Sequence, residues 1–374
     1  MQNTVPVVSI ARQPRGMVKV GGTPMLGWFS FEVDNNTFYQ ADTFRVEFVV
    51  SQLPSDRGMD WWSTQTEVFV EILAGFPLDP SNFTATDLDS LVYGRVDEIE
   101  FDPVAGTLSV SGRDLTSYYI DTKTTQQWVN HTASQIATEL AQSHNMTPVV
   151  TKTTKKAGSY YQIDNVLVTN QHSEWDLLSY LAAKESMVVY AKGQELHFEP
   201  KADKATDPYL LQWQAPTSVN GFPVFNGKSL RISHNLSVAK GVVVWVQALN
   251  VKTGRAFSVA YPSNKAKGTK PGQASPSAQV YTFRMRGKEM TDDAALQYAQ
   301  AKHKEITQHE VRLAATIPAD NILKATSVLK LVGTNSAFDQ IYYPDAITRR
   351  MSVTDGYSMS FTAKNIAKVN EGVL

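Results

Sequence analysis

The feature that most constrains this fold is an abrupt change of periodicity within residues 92–121. Apolar and polar residues alternate along residues 94–101 and again along residues 107–111, with a short turn containing Pro and Gly between them. Alternation with a period of two places one face of each strand in a core, so the two runs predict an antiparallel hairpin. The second run continues into the tetrapeptide GRDL at residues 112–115, after which the pattern becomes helical. We therefore expect a β-domain to end here and a part with helices to begin.

Three parts of the chain differ in pattern. Residues 1–116 contain regularly spaced alternating strands, which are typical of a small antiparallel barrel or sandwich. Residues 117–200 hold two helical stretches and then a strand hairpin, which indicates a small α+β domain. Residues 201–374 return to short strands, with one inserted helix and a long polar segment at residues 263–279 that we expect to be a mobile loop.

Capping residues mark where the predicted helices begin. Thr132 and Gln135 have the spacing of a capping box at the start of the first helix, and Ser173 is the predicted N-cap of the second. The late helix, predicted over residues 291–309, has acidic residues in its first turn, as the helix dipole favours.

The composition is that of a folded protein without cysteine chemistry. Hydrophobic residues make up 42% and charged residues 19% of 374 residues, which excludes a disordered chain and suits two or three domains. Cysteine is absent, which excludes disulfides, thiolate metal ligands and cysteine nucleophiles. The formal net charge of -1 gives no overall attraction to nucleic acid or anionic membranes. We find neither a signal-peptide pattern nor a membrane-spanning run, so we expect a soluble protein without a membrane anchor.

The sequence predicts no catalytic, metal or cofactor site. Glu98 and Glu100 lie on one strand face and the neighbouring acids lie in turns, which favours solvated carboxylates over a catalytic pair held across a bond. His303 and His309 are six residues apart on the predicted helix, which places them on different faces, whereas a helical metal pair needs a spacing of three or four. The serine-elbow, P-loop and dinucleotide motifs are all missing. The acidic cluster comprises Asp87, Asp89, Asp97, Glu98, Glu100 and Asp102; the other candidate histidines, near helix ends, are His131, His144 and His172.

Four residues are candidates for a subunit interface: Trp61, Trp62, Arg113 and Asp114. The tryptophan pair lies in a turn-rich segment, so it is either buried in the first β-domain or exposed at a contact with a subunit or partner. For Arg113 and Asp114 we favour a structural role at the domain exit. Arg113 can form a bidentate bond with a nearby carboxylate, and Asp114 can cap the turn that follows it.

Two short basic runs lie in predicted loops. They are either solvated loop charges or contacts with an acidic partner. Their members are Lys152, Lys155 and Lys156 in the first run and Lys265, Lys267 and Lys270 in the second.

Several blocks, in this order, resemble the phage tail hub family, the baseplate hub proteins of contractile tails. The hairpin that closes on SGRDLTS is the first block, and the helix at residues 171–183 with its Gln-x-x-Glu-Trp start is the second. The Gly turn and Leu-x-Phe strand at residues 193–198 follow. The late helix and the five short strands after it, which end at the turn of residues 355–357, are similar to the C-terminal region of the same family.

The resemblance implies a mainly β fold with an α+β part, in which two antiparallel β-barrel domains flank the small α+β domain. It also implies a homotrimer, because three chains with two similar barrels each present six quasi-equivalent surfaces in a closed ring. Such a ring joins the tail tube protein to the central spike protein, contacts other baseplate proteins and lets DNA pass through its lumen without specific binding. The implied location is the virion tail baseplate, assembled in the host cytoplasm, with no enzymatic activity and no cofactor.

Three alternatives stay open at the level of sequence. The first is the hub portion of a bacterial secretion spike or phage-like particle. The second, from another functional class, is a peptidoglycan-degrading or wall-binding tail-tip protein. The third, a carbohydrate-binding β-protein, draws on the tryptophan pair and the many tyrosines.

Overall fold

The computed structural model divides the chain into two compact units. The first unit comprises Met1–Leu210, Thr316–Val328 and Pro344–Phe361, and the second comprises Leu211–Ala315, Leu329–Tyr343 and Thr362–Leu374. The structure describes residues 13–37, 40–124, 126, 128, 130–154, 156–157, 173–185, 187–200, 207–218, 221–236, 242–263, 279–287, 291–307 and 311–365. The predicted mobile loop at 263–279 lies almost wholly outside these residues.

The described elements are mainly strands. Up to residue 114 they are β1 Arg15–Val20, β2 Thr23–Met25, β3 Trp28–Asn36, β4 Thr43–Val49, α1 Met59–Thr64, β5 Phe69–Gly75, β6 Asp89–Asp102 and β7 Thr107–Asp114. The middle part contains α2 Thr116–Asp121, α3 Ala133–Ser143, β8 Thr147–Val150, α4 Glu174–Lys184, β9 Met187–Lys192 and β10 Glu195–Pro200.

The last part of the chain returns to strands, as its pattern predicts. Its elements are β11 Tyr209–Gln214, β12 Val224–Phe225, β13 Ser229–His234, β14 Val242–Asn250, β15 Ala256–Tyr261, β16 Gln279–Gly287, α5 Asp292–Thr307, β17 Val311–Pro318, β18 Leu329–Val332, β19 Ile341–Ser352 and β20 Gly356–Lys364.

An antiparallel sheet forms most of the first unit. Its strand order is β2-β1-β5-β6-β7-β4-β3-β19. The alternating residues of β3 and β4 point inward as predicted, and Phe31, Val46 and Phe48 are fully buried. Burial of such side chains contributes about 1.5–3 kcal/mol each, so this face of the sheet forms a core of the unit.

The sheet curls without closing. A Cβ atom on Gly16 of β1 would lie 2.8 Å from Met351 Sδ of β19 and 2.9 Å from Phe31 Cε1 of β3, so β1 packs over strands with which it does not pair. The prediction of a mainly β fold with an α+β part is confirmed. The expectation of closed barrels is corrected, because no pairing between described strands completes a ring.

The first sheet also recruits a strand from the end of the chain. Residues 346–352 of β19 pair with residues 30–36 of β3, although the sequence-based division ends the first domain at residue 116. Local periodicity shows that a segment is a strand, but it carries no information about a partner more than 300 residues away.

A small α+β core follows the first seven strands. Strand β10 pairs in parallel with β8 and antiparallel with β9, and helices α3 and α4 pack on this sheet through residues that include Ile136, Leu178 and Phe198. Both predicted helix starts are confirmed, since Thr132 with Gln135 and Ser173 with Asp176 each form a complete capping box.

The second unit contains its own three-stranded sheet covered by a helix. Strand β14 pairs antiparallel with β15 and in parallel with β16. Helix α5 packs Ala295 and Ala299 against Val244 and Val246 of β14. Small side chains on the helix allow this close approach.

Candidate functional site

The GRDL tetrapeptide forms the junction between the first sheet and the α+β core. Gly112 on β7 and Gly94 on β6 lie on neighbouring strands, two positions apart in register, and both contact the ring of Phe44. A Cβ atom on Gly112 would lie 2.7 Å from Phe44 Cζ and would overlap the carbonyl oxygen of Arg95. Only glycine fits here, because the aromatic ring occupies the space that a side chain would need.

Arg113 points to the outer face of the sheet and holds two carboxylates. Its Nε donates to Asp97 Oδ2 at 2.6 Å and its Nη2 to Asp97 Oδ1 at 2.9 Å. Its Nη1 and Nη2 also donate to the two oxygens of Asp121, each at 3.1 Å. Arg95 Nη2 donates to Asp121 Oδ2 at 2.6 Å. The bidentate bond predicted for Arg113 is therefore present, and it ties β6 and β7 to the end of α2.

A strand bulge and opposite charges favour the contacts of Arg113 with Asp97 and Asp121. The register of β6 against β7 shifts between Val96 and Glu98, and the resulting bulge turns the Asp97 side chain toward Arg113. The hydrogen bond to Asp97 raises the pKa of the Arg113 guanidinium above its ordinary value. Partial burial opposes ionisation of Asp121, but hydrogen bonds from Arg113 and Arg95 outweigh it and lower the pKa of this carboxyl.

Asp114 points inward and is buried. Its Oδ1 accepts hydrogen bonds from the backbone N–H of Thr116, at 3.1 Å, and from the Thr116 hydroxyl. This is the turn cap predicted from sequence. Burial, and then the neighbouring carboxylate of Asp42, raise the pKa of Asp114 to about 8. Two neighbouring carboxyls in such a site cannot both ionise cheaply, so burial and the charge of Asp42 favour the protonated form of Asp114.

Leu115 completes the junction on the helical side. It is 4% exposed and belongs to the α+β core, where Tyr119 and Ile136 are also buried. The chain therefore changes cores between Asp114, which faces the sheet interior, and Leu115.

A buried polar network lies next to Asp42 and was not predicted from sequence. Arg349 of β19 donates from Nε to the Asp320 carbonyl at 3.0 Å, from Nη1 to Asn35 Oδ1 at 2.9 Å and from Nη2 to the Leu323 carbonyl. Asn35 Nδ2 in turn donates to Asp42 Oδ2 at 2.8 Å. Burial raises the pKa of Asp42 to about 6, although hydrogen bonds from its neighbours lower it in part.

A signal for this network is present in the sequence. Arg349 alternates with Ile347 and Met351, so the inward face of β19 carries a charged residue between two apolar ones. A buried guanidinium needs hydrogen-bond acceptors on every side, which Asn35 and the segment 320–323 provide here. The network therefore joins the early strands to residues 320–349.

The tryptophan pair lies on helix α1 rather than in a turn. Trp62 is 1% exposed and packs against Phe48 at a ring distance of 6.1 Å, so the burial alternative describes this residue. Trp61 is half-buried, meets Trp62 edge to face at 4.9 Å and lies beneath the Arg57 guanidinium. Among the pair, only Trp61 presents surface to a partner.

The acidic cluster has mainly structural partners. Asp87 closes a capping box with Thr84, Asp97 binds Arg113 and Asp102 caps the hairpin turn at Val104 N. Asp89 accepts from Asn321, and Glu100 lies 3.8 Å from Arg45. No group of three metal-ligating side chains occurs among the described residues.

The histidines take packing positions. His144 Nε2 lies 2.6 Å from Glu174 Oε2 between the end of α3 and the start of α4. His303 meets the Tyr261 ring edge to face at 5.2 Å, so it contributes to packing and is not simply a solvated surface residue. His172 and His309 fall outside the described residues.

No helix in the described part of the chain is long and apolar enough to cross a membrane.

The fold is that of phage tail proteins. A tail protein from Neisseria meningitidis superposes with a TM-score of 0.67 at 14% identity, over 94% of this chain and 97% of that one. The 43 kDa tail protein of prophage MuSo2 from Shewanella oneidensis gives 0.66 at 12% identity, over 94% and 98%. An E. coli protein described as a type VI secretion component with structural similarity to the T4 tail proteins gp27 and gp5 gives 0.55 at 12% identity, over 92% and 76%.

Comparison by sequence finds no relative: no family model matches, and no curated protein matches. The resemblance to the tail hub family is confirmed at the level of fold.

Proposed function

We propose that this chain, which has the fold of phage tail proteins over nearly its whole length, is a structural hub of a tail baseplate. Three copies form a closed ring that joins the tail tube to the central spike and surrounds the DNA channel. The observation that carries the proposal is the coverage of 97% and 98% of two proteins named as tail proteins, because a shared wall-degrading domain alone would match only part of each chain.

The ring resolves a mismatch of symmetry between a spike with threefold symmetry and a tube with sixfold symmetry. In this proposal each of the three chains presents two surfaces to the tube and one to the spike. Obligate subunit interfaces typically bury about 2,000 Å² or more of accessible surface. The ring is therefore expected to persist at micromolar concentration.

The role is mechanical rather than catalytic. The Arg113 bonds, the Gly112 packing and the Arg349 network hold the segments of the first unit together through fixed side-chain contacts. A hub that transmits load when the tail fires needs such rigid joints and needs no turnover. Trp61, half-buried on α1, and Arg113 remain candidates for contact with a neighbouring subunit.

Electron microscopy of the purified oligomer, alone and with its tail tube protein, tests the proposal. We expect a ring with a central channel and one face with sixfold modulation, which binds the tube end. Release of soluble fragments from purified peptidoglycan, abolished by replacing one carboxylate, would favour the wall-degrading alternative instead.

A further inference from the structure

Basic and acidic residues are distributed unevenly along the chain. Residues 208–288 contain eleven Lys and Arg and no Asp or Glu, whereas the rest of the chain contains 24 Lys and Arg against 36 Asp and Glu. The net charge of -1 therefore conceals a basic segment within an acidic protein. Such a separation of charge steers complementary surfaces toward each other.

Within this segment, residues 222–236 expose apolar side chains; we call these residues the basic patch. Phe222 is 88% exposed, Val224 62% and Leu236 67%. Three exposed apolar side chains within 15 residues make this segment a candidate for contact with another macromolecule.

Two basic side chains interleave with the apolar ones. Lys228 lies in the turn between β12 and β13, and Arg231 lies on β13; both are exposed. Exposed apolar side chains together with charged ones are typical of a protein interface, and the positive charge indicates an acidic partner.

The matching surface lies in the first unit, on the hairpin of β6 and β7. Residues 97–106, which we call the acidic hairpin, expose Glu98 and Glu100 on one face. Val104 at the tip is 97% exposed and Phe101 is 44% exposed. Side chains alternate along β6, so Phe101 lies on the face opposite Glu98 and Glu100, and Val104 lies at the tip. The hairpin therefore exposes apolar and acidic side chains, and its charge is opposite to that of the basic patch.

The hairpin is open on one side. Strand β5 pairs with β6 only as far as Arg95, so among the described residues the stretch 98–102 pairs with β7 alone. An open strand edge with acidic and apolar side chains is free to receive a partner.

We propose that the basic patch of one copy binds the acidic hairpin of the next copy, head to tail around the ring. The inference rests on the trimer proposed above and assigns the interface that builds it. Contacts between two different patches close into a ring when the rotation between copies permits, whereas contacts between identical patches give dimers.

Nucleic acid is the other acidic partner that a basic patch could fit. Three exposed aliphatic or aromatic side chains among two basic ones favour a protein partner, because binding to phosphates relies on charge and polar donors. The excess of acid over base in the rest of this chain supplies such a partner in every copy.

Charge reversal tests the interface. The patch variant is Lys228→Glu with Arg231→Glu, and the hairpin variant is Glu98→Lys with Glu100→Lys. Each is expected to weaken self-association about 100-fold, because like charges are then placed together. Lys252→Glu, at an exposed position in the same acid-free segment but outside the basic patch, is the matched control and is expected to retain the trimer.

Two combinations distinguish this geometry from a general effect of charge. The chain that carries all four changes is expected to recover the trimer, since its two surfaces are complementary again. An equimolar mixture of the patch and hairpin variants is expected to form open complexes but no closed trimer, because alternating copies cannot close a ring of three. Light scattering gives the masses, and melting curves establish that each variant is folded.

The outcomes separate the interface from the proposed function. A trimer that persists in the patch variant overturns the interface and leaves the hub proposal intact. If the patch variant also loses binding to duplex DNA that the wild type shows, nucleic acid is the partner of the basic patch instead. A wild-type chain that is monomeric at about 50 mM and about 500 mM salt, and stays so when the tail tube and spike proteins are added, contradicts the hub itself.

Discussion

Arg113 and Asp97 are joined by two parallel hydrogen bonds, from Nε to Oδ2 at 2.6 Å and from Nη2 to Oδ1 at 2.9 Å. The pair fixes the bulge of β6 against β7, and Arg113 also holds Asp121 at the end of α2. A single side chain therefore ties the first sheet to the first helix of the α+β core.

Replacing Arg113 and Asp97 is expected to lower the free energy of unfolding modestly, and the effects of the two substitutions are expected to be non-additive. Arg113→Ala and Asp97→Ala in a double-mutant cycle should show a coupling of about 1 kcal/mol, since the pair is bidentate but partly exposed. Arg350→Ala with Glu32→Ala, an exposed pair separated by 4.0 Å, is the control with coupling near zero. Chemical denaturation measures both cycles, and equal couplings would contradict the role given to Arg113.

Gly112 is expected to tolerate no side chain. Gly112→Ala should destabilise the chain by about 3 kcal/mol, because its Cβ would overlap the Arg95 carbonyl and the Phe44 ring. Gly58→Ala is the control, since nothing lies within 4 Å of a Cβ atom there. Similar melting temperatures for the two variants would refute the packing argument.

Asp114 makes stability depend on pH. Burial and the neighbouring Asp42 raise the pKa of Asp114 to about 8 in the folded chain, whereas an unfolded aspartate has a pKa of about 4. Between these values the folded state binds more protons than the unfolded state, so the free energy of unfolding falls as pH rises.

Asp114→Asn should remove much of this fall, because the amide is always neutral and keeps Oδ1 as acceptor for Thr116. Relative to the wild type, the variant is expected to gain at least about 1 kcal/mol of stability between pH 5 and pH 8. Asp60→Asn, which removes an exposed carboxylate, is the matched control for the loss of one charge. A parallel pH profile for Asp114→Asn and wild type would count against a protonated Asp114.

Arg349 and Arg350 offer a matched comparison of adjacent positions on β19. Arg349→Met is expected to cost about 3 kcal/mol, because the Asp320 and Leu323 carbonyls lose their buried donor. Arg350→Met should stay within about 0.5 kcal/mol, since Arg350 is exposed and lies 4.0 Å from Glu32. Denaturation midpoints for the two variants test this difference directly.

Features set by local chemistry were predictable from sequence. The β6–β7 hairpin, the capping boxes at Thr132 and Ser173, and the turn cap at Asp114 each follow from spacings of a few residues. The bidentate bond of Arg113 was predictable in kind, but its partners Asp97 and Asp121 were not, because a bulge and a helix end place them.

Features that depend on distant segments were not predictable in this way. The pairing of β19 with β3 and the Arg349 network join segments separated by more than 300 residues, which no local period encodes. The open sheet in place of a closed barrel likewise depends on strand curvature. The acid-free segment at residues 208–288 can be read from the sequence itself, but the overall net charge of the chain does not reveal it.

The mass of the purified chain in solution tests the central claim most directly. At micromolar concentration and low salt, native mass spectrometry is expected to give three times the 41.4 kDa chain mass. A stable mass of one chain, unchanged when the tail tube and spike proteins are added, would contradict the account of a ring-forming hub.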